Sequence, residues 1–378
     1  MTASSSPVVL VVDDEPDQQL AYAVLMEERG LEVTVCQPQD VTEEHLRKSD
    51  VIAIDQVFKW QNLSHPTNLA YWPCDGLAFA GVLSRHLVRL HTTASVVLRT
   101  GAINELGGSL PLAARVPLLS SQNGVDWILE KGTTDTADNL YQLAHATAAL
   151  TPFTTPEGRR DWNEGADWLQ VPDEPWAESA LAEIQVCRPP EHVVAQYTAG
   201  SAWLRWFAHR ILPYPSFLVS DLRAATLLRV TIAQFHSLVD DDQSPLGQLI
   251  RSCRYRGHLA GLAEPRWWRA GIESIVDDLL MAADQSLDIS DALALEYSRL
   301  HGSPVRTLPH EQPVVTINSD YFDSGIAEFR ECVRLAPDSW PVVADEPYAK
   351  QHDVDHEGDL ASMVSRGDRG RLHSPEVR

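Results

Sequence analysis

Apolar and polar positions follow two different periodicities within the first 148 residues. Five short runs are almost continuously apolar and rich in β-branched residues, a pattern typical of strands buried on both faces of a sheet. These runs are residues 7–13, 31–36, 50–55, 94–101 and 125–131. Between them lie stretches with apolar residues at helical spacing, such as 18–30 and 77–90. Because strands that alternate with helices form parallel sheets with crossovers, we predict a doubly wound five-stranded α/β domain over residues 1–148.

The pattern changes after this domain. Residues 149–176 are rich in Pro and Gly and predict a linker. Residues 177–346 have a mainly helical pattern, with one strand-like run at 313–318. The tail, 347–378, is polar and charged, so we expect it to be disordered. The chain is therefore predicted to be an α/β domain, a linker and a mainly α-helical output region.

Composition limits the classes of protein that fit. The 378 residues include 53 acidic and 30 basic ones, a net charge of −23, which argues against a surface that binds polyanions throughout. The five cysteines form no CxxC pair, so neither a zinc knuckle nor a disulfide framework is supported. No apolar run approaches the ~20 residues of a membrane span, and the first residues show no signal-peptide pattern. We expect a cytoplasmic protein without membrane contact.

Polar residues stand where the predicted parallel strands end. Two acidic residues close the first strand, one closes the third, a threonine closes the fourth and a lysine closes the fifth; they are Asp13, Asp14, Asp55, Thr100 and Lys131. In an open parallel sheet, the carboxyl ends of the strands line one crevice. We therefore expect these five side chains to converge. Lys131 is notable because the chain contains only four lysines.

The chemistry that suits this set is phosphoryl transfer to a carboxylate. Crowded carboxylates repel one another unless a cation joins them, and Mg²⁺ prefers oxygen ligands of this kind. One carboxylate can then act as the nucleophile, while a hydroxyl and an ammonium hold the phosphoryl oxygens. The sequence thus predicts a magnesium-dependent phosphoryl acceptor.

Residues 7–148 resemble the receiver domain of two-component response regulators. The resemblance is carried by VVLVVDDEPD, VIAID, CDGLAFAGVL, VVLRTG and WILEK. It implies that Asp13, Asp14, Asp55 and the backbone carbonyl of Val57 bind Mg²⁺. It further implies that Asp55 accepts phosphate from a histidine kinase or phosphotransfer protein, assisted by Thr100 and Lys131. Such domains are not enzymes in their own right, and they often pair as homodimers.

This sequence departs from the receiver pattern near the acceptor. An insert of about a dozen residues lies within 56–74, before the Asp75-Gly76 pair that matches the family. Gly132 stands where the family usually has proline, and Ile128 where it usually has an aromatic switch residue. An alternative therefore stays open, in which the domain is a scaffold that acts through protein contacts without phosphorylation.

A second alternative concerns residues 221–239, whose spacing fits a helix-turn-helix. This segment lies in 201–270, the one basic part of the chain, with nine basic and five acidic residues. Arg223, Arg229 and Gln234 are the candidate nucleic-acid contacts. Asp240, Asp241 and Asp242 follow immediately and would repel phosphates, so a structural or protein-docking helical region is the favoured interpretation and DNA the less favoured partner.

Overall fold

The N-terminal domain is built on a five-stranded parallel sheet. The computed structural model describes residues 6–59, 75–132, 136–150, 165–188, 199–356 and 358–373. The strands are β1 (Val8–Val12), β2 (Glu32–Cys36), β3 (Val51–Asp55), β4 (Ser95–Thr100) and β5 (Trp127–Glu130). Their spatial order is β2-β1-β3-β4-β5, and every neighbouring pair is parallel. This order is one of the two common doubly wound arrangements, so the predicted fold class is confirmed.

Helices cover both faces of this sheet. They are α1 (Leu20–Glu27), α2 (Glu43–Lys48), α3 (Gly76–Leu90), α4 (Ile103–Gly107), α5 (Arg115–Asn123) and α6 (Thr136–Leu150). Alternate residues of each strand face opposite sides, so the apolar runs supply two cores at once. One core contains residues of α1 and α6, and the other contains residues of α2 to α5. This double burial explains why the strands are apolar throughout.

The helical region follows, as the sequence predicts. Its helices are α7 (Gly165–Leu169), α8 (Ala177–Cys187), α9 (Ala199–Trp206), α10 (Asp221–Leu227), α11 (Ile232–Asp240), α12 (Pro245–Ser252), α13 (Arg269–Ala282) and α14 (Ile289–His301). A π-helical turn, Phe207–Ile211, continues α9. Two short strands, β6 (Leu218–Val219) and β7 (Trp267–Trp268), pair antiparallel within it. Residues 151–164 of the predicted linker lie outside the described residues.

The tail expected to be disordered is folded over most of its length. Its strand β11 (Tyr348–Lys350) joins three strands of the preceding region, β8 (Pro313–Ile317), β9 (Asp323–Glu328) and β10 (Cys332–Arg334), in a sheet with the order β10-β11-β8-β9. Helices α15 (Gln351–His356) and α16 (Gly358–Met363) follow. For the described residues, 347–356 and 358–373, the prediction of disorder was wrong, because the many charges of this segment obscure a few well-spaced apolar residues. Ala349, Val354, Leu360 and Val364 are buried together.

A single apolar core joins the receiver-like domain to the helical region. Leu140 and Leu143 of α6 belong to the same buried cluster as Trp203 and Phe207. Trp168 completes the junction, since its indole Nε1 donates a hydrogen bond of 2.9 Å to the carbonyl of Ala146. Helix α6 thus packs against the sheet on one side and against the helical region on the other. The two parts share buried surface and are expected to respond to each other.

Strand β5, at the sheet edge, makes a polar contact with the same helices. Asp126, just before β5, pairs with Arg205 at 2.7 Å between Oδ1 and Nε, and both side chains are buried. His209 stacks on Trp127, and its Nε2 lies 2.8 Å from the carbonyl oxygen of Asp126. Burial lowers the pKa of His209 to about 4, so the imidazole is neutral at pH 7 and donates to that carbonyl.

Within the described residues, no helix is both long enough and apolar enough to cross a bilayer. The four cysteines in this part of the chain, Cys36, Cys187, Cys253 and Cys332, are all free thiols. Cys74 lies outside the described residues.

Replacing a leucine at the shared core tests how much the junction contributes to stability. Leu140 is fully buried, so Leu140→Ala is expected to lower the free energy of unfolding by about 2–5 kcal/mol. Leu295, on α14, is 55 % exposed. Leu295→Ala is therefore the control, and its free energy of unfolding is expected to change by roughly 0.5 kcal/mol or less. Urea unfolding measures both. Equal losses for the two variants would contradict the assignment of α6 to a shared core.

Candidate functional site

Three carboxylates converge at the carboxyl edge of the parallel sheet. Asp13 and Asp14 follow β1, Asp55 ends β3, and all three side chains are buried. One carboxylate oxygen from each lies within 4.8 Å of the others. The residues predicted as the cation site are thus brought together by the neighbouring positions of β1 and β3. We call this cluster the acidic pocket.

Asp13 has an oxygen without a partner. Its Oδ1 accepts a hydrogen bond of 2.9 Å from the backbone N–H of Glu15, but its Oδ2 is buried and accepts none. Burial raises the pKa of Asp13, and the nearby negative charge of Asp55 raises it further. An orphaned carboxylate oxygen among like charges is what a hard cation would satisfy, so these residues fit Mg²⁺.

The loop after β3 folds back over the acidic pocket. The backbone N–H of Lys59 donates to Asp14 Oδ2 at 2.7 Å, and its side-chain Nζ pairs with Glu15 at 2.7 Å. The backbone N–H of Val57 lies 3.3 Å from Asp55 Oδ1, while its side chain is exposed. The role expected for the Val57 carbonyl as a ligand stays a prediction. Residues 60–74, most of the insert, lie outside the described residues.

Lys131 lies where the sequence predicts an ammonium. Its Nζ is 2.7 Å from Asp55 Oδ1, and its backbone N–H donates to the carbonyl of Thr100 at 2.7 Å. The main chain beyond β5 thus continues the pairing with β4 and fixes the lysine beside Asp55. The four charged residues predicted for the site therefore lie together; they are Asp13, Asp14, Asp55 and Lys131.

Thr100 is present at the site, but its hydroxyl is already bonded. The hydroxyl donates to the side-chain oxygen of Gln56 and accepts a hydrogen bond of 2.9 Å from the backbone N–H of Ala102. Gln56 directly follows Asp55, and sequence reasoning did not single it out because glutamine carries no characteristic chemistry. Its position next to the predicted acceptor was the available signal.

Arg99 is the other residue that sequence reasoning missed. It precedes Thr100 on β4, pairs in register with Asp55 and is only 5 % exposed. Charged residues are almost never buried without a partner, so an arginine inside the otherwise apolar run VVLRT was the signal.

Gly76 keeps the acceptor strand close to α3. Asp75 caps this helix by accepting a hydrogen bond of 2.8 Å from the N–H of Ala78. The N–H of Gly76 donates to the carbonyl of Gln56 at 2.9 Å, and a Cβ at this position would lie 1.7 Å from the carbonyl oxygen of Asp55. Only glycine permits this approach, which explains the Asp-Gly pair noted in the sequence.

The candidate nucleic-acid residues lie away from the acidic pocket. Helices α10 and α11 do form a helix-turn-helix-like pair, with Arg229 at φ 57° in the turn. Arg223 is buried and pairs with Asp323 at 2.9 Å, and the Arg229 guanidinium donates to the carbonyl of His310 at 2.7 Å. Gln234 is partly exposed at the start of α11. Because both arginines are engaged within the protein, this arrangement lends no support to DNA contact, which stays a prediction only.

A glycine substitution tests the tight contact behind Asp55. Gly76→Ala is expected to displace the Asp55 backbone and to lower the free energy of unfolding by at least ~1–3 kcal/mol, the usual range for overpacking. Gly81 lies in the same helix with open space around it, so Gly81→Ala is the control and is expected to stabilise by about 0.5–1 kcal/mol. Thermal unfolding measures both. Equal effects at the two positions would contradict the described contact.

Comparison with known proteins finds matches among solved structures, which are response regulators or their receiver domains. No protein-family model and no curated protein matches the sequence. Among solved structures, a response regulator receiver domain from Methylobacillus flagellatus is 20 % identical and covers 36 % of this chain and 98 % of its own, with a TM-score of 0.26. The receiver domain of Francisella response regulator 1452 is 20 % identical and covers 39 % of this chain and 99 % of its own, also at 0.26.

A third similar structure is a response regulator from Burkholderia pseudomallei, with a phosphorylated aspartic acid, a calcium ion and citrate. It is 15 % identical and covers 55 % of this chain and 99 % of its own, with a TM-score of 0.24. By its strand order and the polar residues at its strand ends, the N-terminal part of this chain resembles the receiver domains of response regulators.

Proposed function

We propose that this protein is a response regulator whose receiver-like domain accepts a phosphoryl group on Asp55 in a Mg²⁺-dependent reaction. The observation that carries the proposal is the cluster of Asp13, Asp14 and Asp55 oxygens within 4.8 Å, with Lys131 Nζ 2.7 Å from Asp55. Several carboxylates and one ammonium in a crevice suit the binding of a cation and a phosphoryl group together.

The acceptor step follows from the position of Asp55. One of its carboxylate oxygens attacks the phosphorus of the donor and forms a new P–O bond. With a phosphohistidine donor, the P–N bond breaks, and the imidazole nitrogen leaves with the electron pair of that bond and binds a proton with it. The product is an acyl phosphate on Asp55. The donor class implied is a histidine kinase or a phosphotransfer protein.

Asp13 and Asp14 would hold the cation together with Asp55. When bound, Mg²⁺ neutralises charge on the carboxylates and on the transferring phosphoryl oxygens. Asp13 offers its unpartnered Oδ2, and Asp14 offers the oxygen that now accepts from Lys59. The Lys59 amide therefore has to move or share its acceptor when the cation site fills.

Lys131 and Thr100 stabilise the phosphorylated state. The ammonium already contacts Asp55 Oδ1, so it is positioned for a phosphoryl oxygen on the same carboxylate. The Thr100 hydroxyl first has to leave Gln56, after which it can donate to the phosphoryl group. The exchange of one acceptor for another gives the domain two arrangements of the Thr100 side chain.

The helical region is the proposed output. Lys131 directly follows β5, and Asp126 and Trp127 at the other end of that strand contact Arg205 and His209. A change at Lys131 is therefore carried along one short strand to the α9 junction. We propose that phosphorylation alters this contact and thereby the surface offered to a protein partner in the cytoplasm.

A scaffold that works without phosphorylation is the second candidate function. It is favoured by hydrogen bonds that already engage the site residues within the protein. The Thr100 hydroxyl donates to Gln56, and the backbone N–H of Lys59 donates to Asp14. In that case, the acidic pocket would stabilise the residues directly after β3, and the helical region would bind its partner constitutively.

Phosphoryl acceptance is tested directly with a small phosphodonor. Incubation with Mg²⁺ and acetyl phosphate is expected to add one phosphoryl group to the intact protein, measured by mass spectrometry, because Asp55 is the nucleophile. Asp55→Asn is expected to abolish the addition. The matched control is Asp17→Asn, an exposed carboxylate in the same sequence stretch, which is expected to behave as the unsubstituted chain. An unmodified wild-type protein would favour the scaffold function.

Metal binding is tested by thermal unfolding with and without Mg²⁺. At ten times its Kd, Mg²⁺ is expected to stabilise the protein by about 1.4 kcal/mol. Asp13→Asn is expected to raise the melting temperature without metal, because it removes a buried charge whose pKa is raised, and to abolish the Mg²⁺-dependent increase. In the unsubstituted protein, the Mg²⁺-dependent increase in melting temperature is also expected to become smaller as the pH falls toward the raised pKa of Asp13, since protons then compete with the cation. A Mg²⁺ response that survives in Asp13→Asn would contradict the site.

A further inference from the structure

The inference concerns Arg99, which lies beside the acidic pocket. Arg99 and Asp55 are register partners on the parallel strands β4 and β3, so their side chains leave the sheet on the same face. Neighbouring strands are about 4.8 Å apart, a distance that an arginine side chain easily spans. The residue is therefore within reach of any group attached to Asp55.

Arg99 is incompletely satisfied. Its Nη2 donates to the side-chain oxygen of Gln19 at 2.9 Å, and its guanidinium lies 4.4 Å from the ring centroid of Tyr22. Its Nε and Nη1 are buried and have no hydrogen-bond partner. In the described part of the chain, no carboxylate forms an ion pair with it within 4.0 Å.

A buried arginine with unpaired donors destabilises the folded protein unless an anion accepts hydrogen bonds from them. Arginine stays charged at all accessible pH values and presents five N–H donors. A buried charge with unmet donors destabilises the folded state, whereas a charge-assisted hydrogen bond recovers much of that loss. The stacking on Tyr22 is a weaker interaction than a direct ion pair. The geometry thus leaves two donors for a ligand.

The charge of the acidic pocket indicates which ligand this is. Its three carboxylates face one ammonium, Lys131. An acyl phosphate on Asp55 carries about one more negative charge than the carboxylate that it replaces. A second cation nearby would then be attracted into the pocket and could offer two parallel N–H groups to phosphoryl oxygens, as guanidinium groups do.

We propose that Arg99 is a second phosphoryl-binding cation of this site. When Asp55 is phosphorylated, the Arg99 guanidinium moves away from Gln19 and Tyr22 and donates to the phosphoryl group. The proposal rests on the proposed function. Because Gln19 and Tyr22 belong to the segment entering α1 and to α1 itself, the movement also releases contacts on the face of the sheet that carries α6. Arg99 thereby distinguishes the phosphorylated pocket from one that holds only a metal ion.

The proposal predicts effects of opposite sign for the two ligands. A guanidinium near the acidic pocket repels Mg²⁺ but attracts the phosphoryl group. Arg99→Met, which keeps an unbranched side chain and removes its charge, is therefore expected to bind Mg²⁺ about two- to threefold more tightly. The same variant is expected to bind beryllofluoride, a phosphoryl mimic, about tenfold more weakly. A purely structural role would weaken both.

The experiment measures both affinities on the full chain by intrinsic tryptophan fluorescence. Arg99→Lys keeps the charge and is expected to lose less beryllofluoride affinity than Arg99→Met. Arg89→Met removes an exposed arginine from the same domain and is the control, with both affinities unchanged. Circular dichroism checks that each variant is folded, and Arg99→Gln replaces Arg99→Met if the latter is not.

The outcomes separate this inference from the proposed function. If wild type binds beryllofluoride and Arg99→Met loses affinity for it while retaining or gaining Mg²⁺ affinity, the inference is supported. If wild type binds beryllofluoride and the variant binds it equally well, or loses both ligands together, the inference is overturned and the proposed function stands. If wild type binds no beryllofluoride in the presence of Mg²⁺, the proposed function fails and the inference fails with it.

Discussion

Three buried carboxylates within 4.8 Å of one another constrain everything around them. Their mutual repulsion and the cost of their burial demand positive charge or donated hydrogen bonds nearby. The protein meets this demand with the Lys131 ammonium on Asp55, the Lys59 amide on Asp14 and the Glu15 amide on Asp13. The balance is incomplete, because one oxygen of Asp13 has no partner. This unpartnered oxygen is why we propose a cation and a phosphoryl group as the ligands of the pocket.

The same constraint connects the pocket to the rest of the molecule. The residues proposed to respond to its charge lie on β4 and directly after β5, and the residue just before β5 makes the buried contact with Arg205 and His209. Helix α6 packs against both the sheet and the helical region, so that contact does not stand alone. The receiver-like domain and the helical region therefore form one packed unit. A change of charge in the acidic pocket can displace residues of the helical region through these contacts.

Local sequence patterns were sufficient to predict the sheet and most of its site. The five apolar runs are typical of buried strands, and the polar residues at their ends were expected to meet because parallel strands share one carboxyl edge. Gln56 and Arg99 escaped prediction because their importance depends on which side chains lie beside them in space. The folded tail escaped because its apolar residues, such as Val354 and Leu360, are few and come from elements that pack together only in three dimensions.

In the proposed function, the charge state of the acidic pocket is transmitted to the helical region. Hydrogen–deuterium exchange of the full chain, with Mg²⁺ and with or without beryllofluoride, measures this transmission most directly. Beryllofluoride is expected to change amide exchange at β5 and in residues 199–211, and Asp55→Asn is expected to abolish the change. An effect confined to the loops around Asp55, with exchange in 199–211 unaltered, would contradict it.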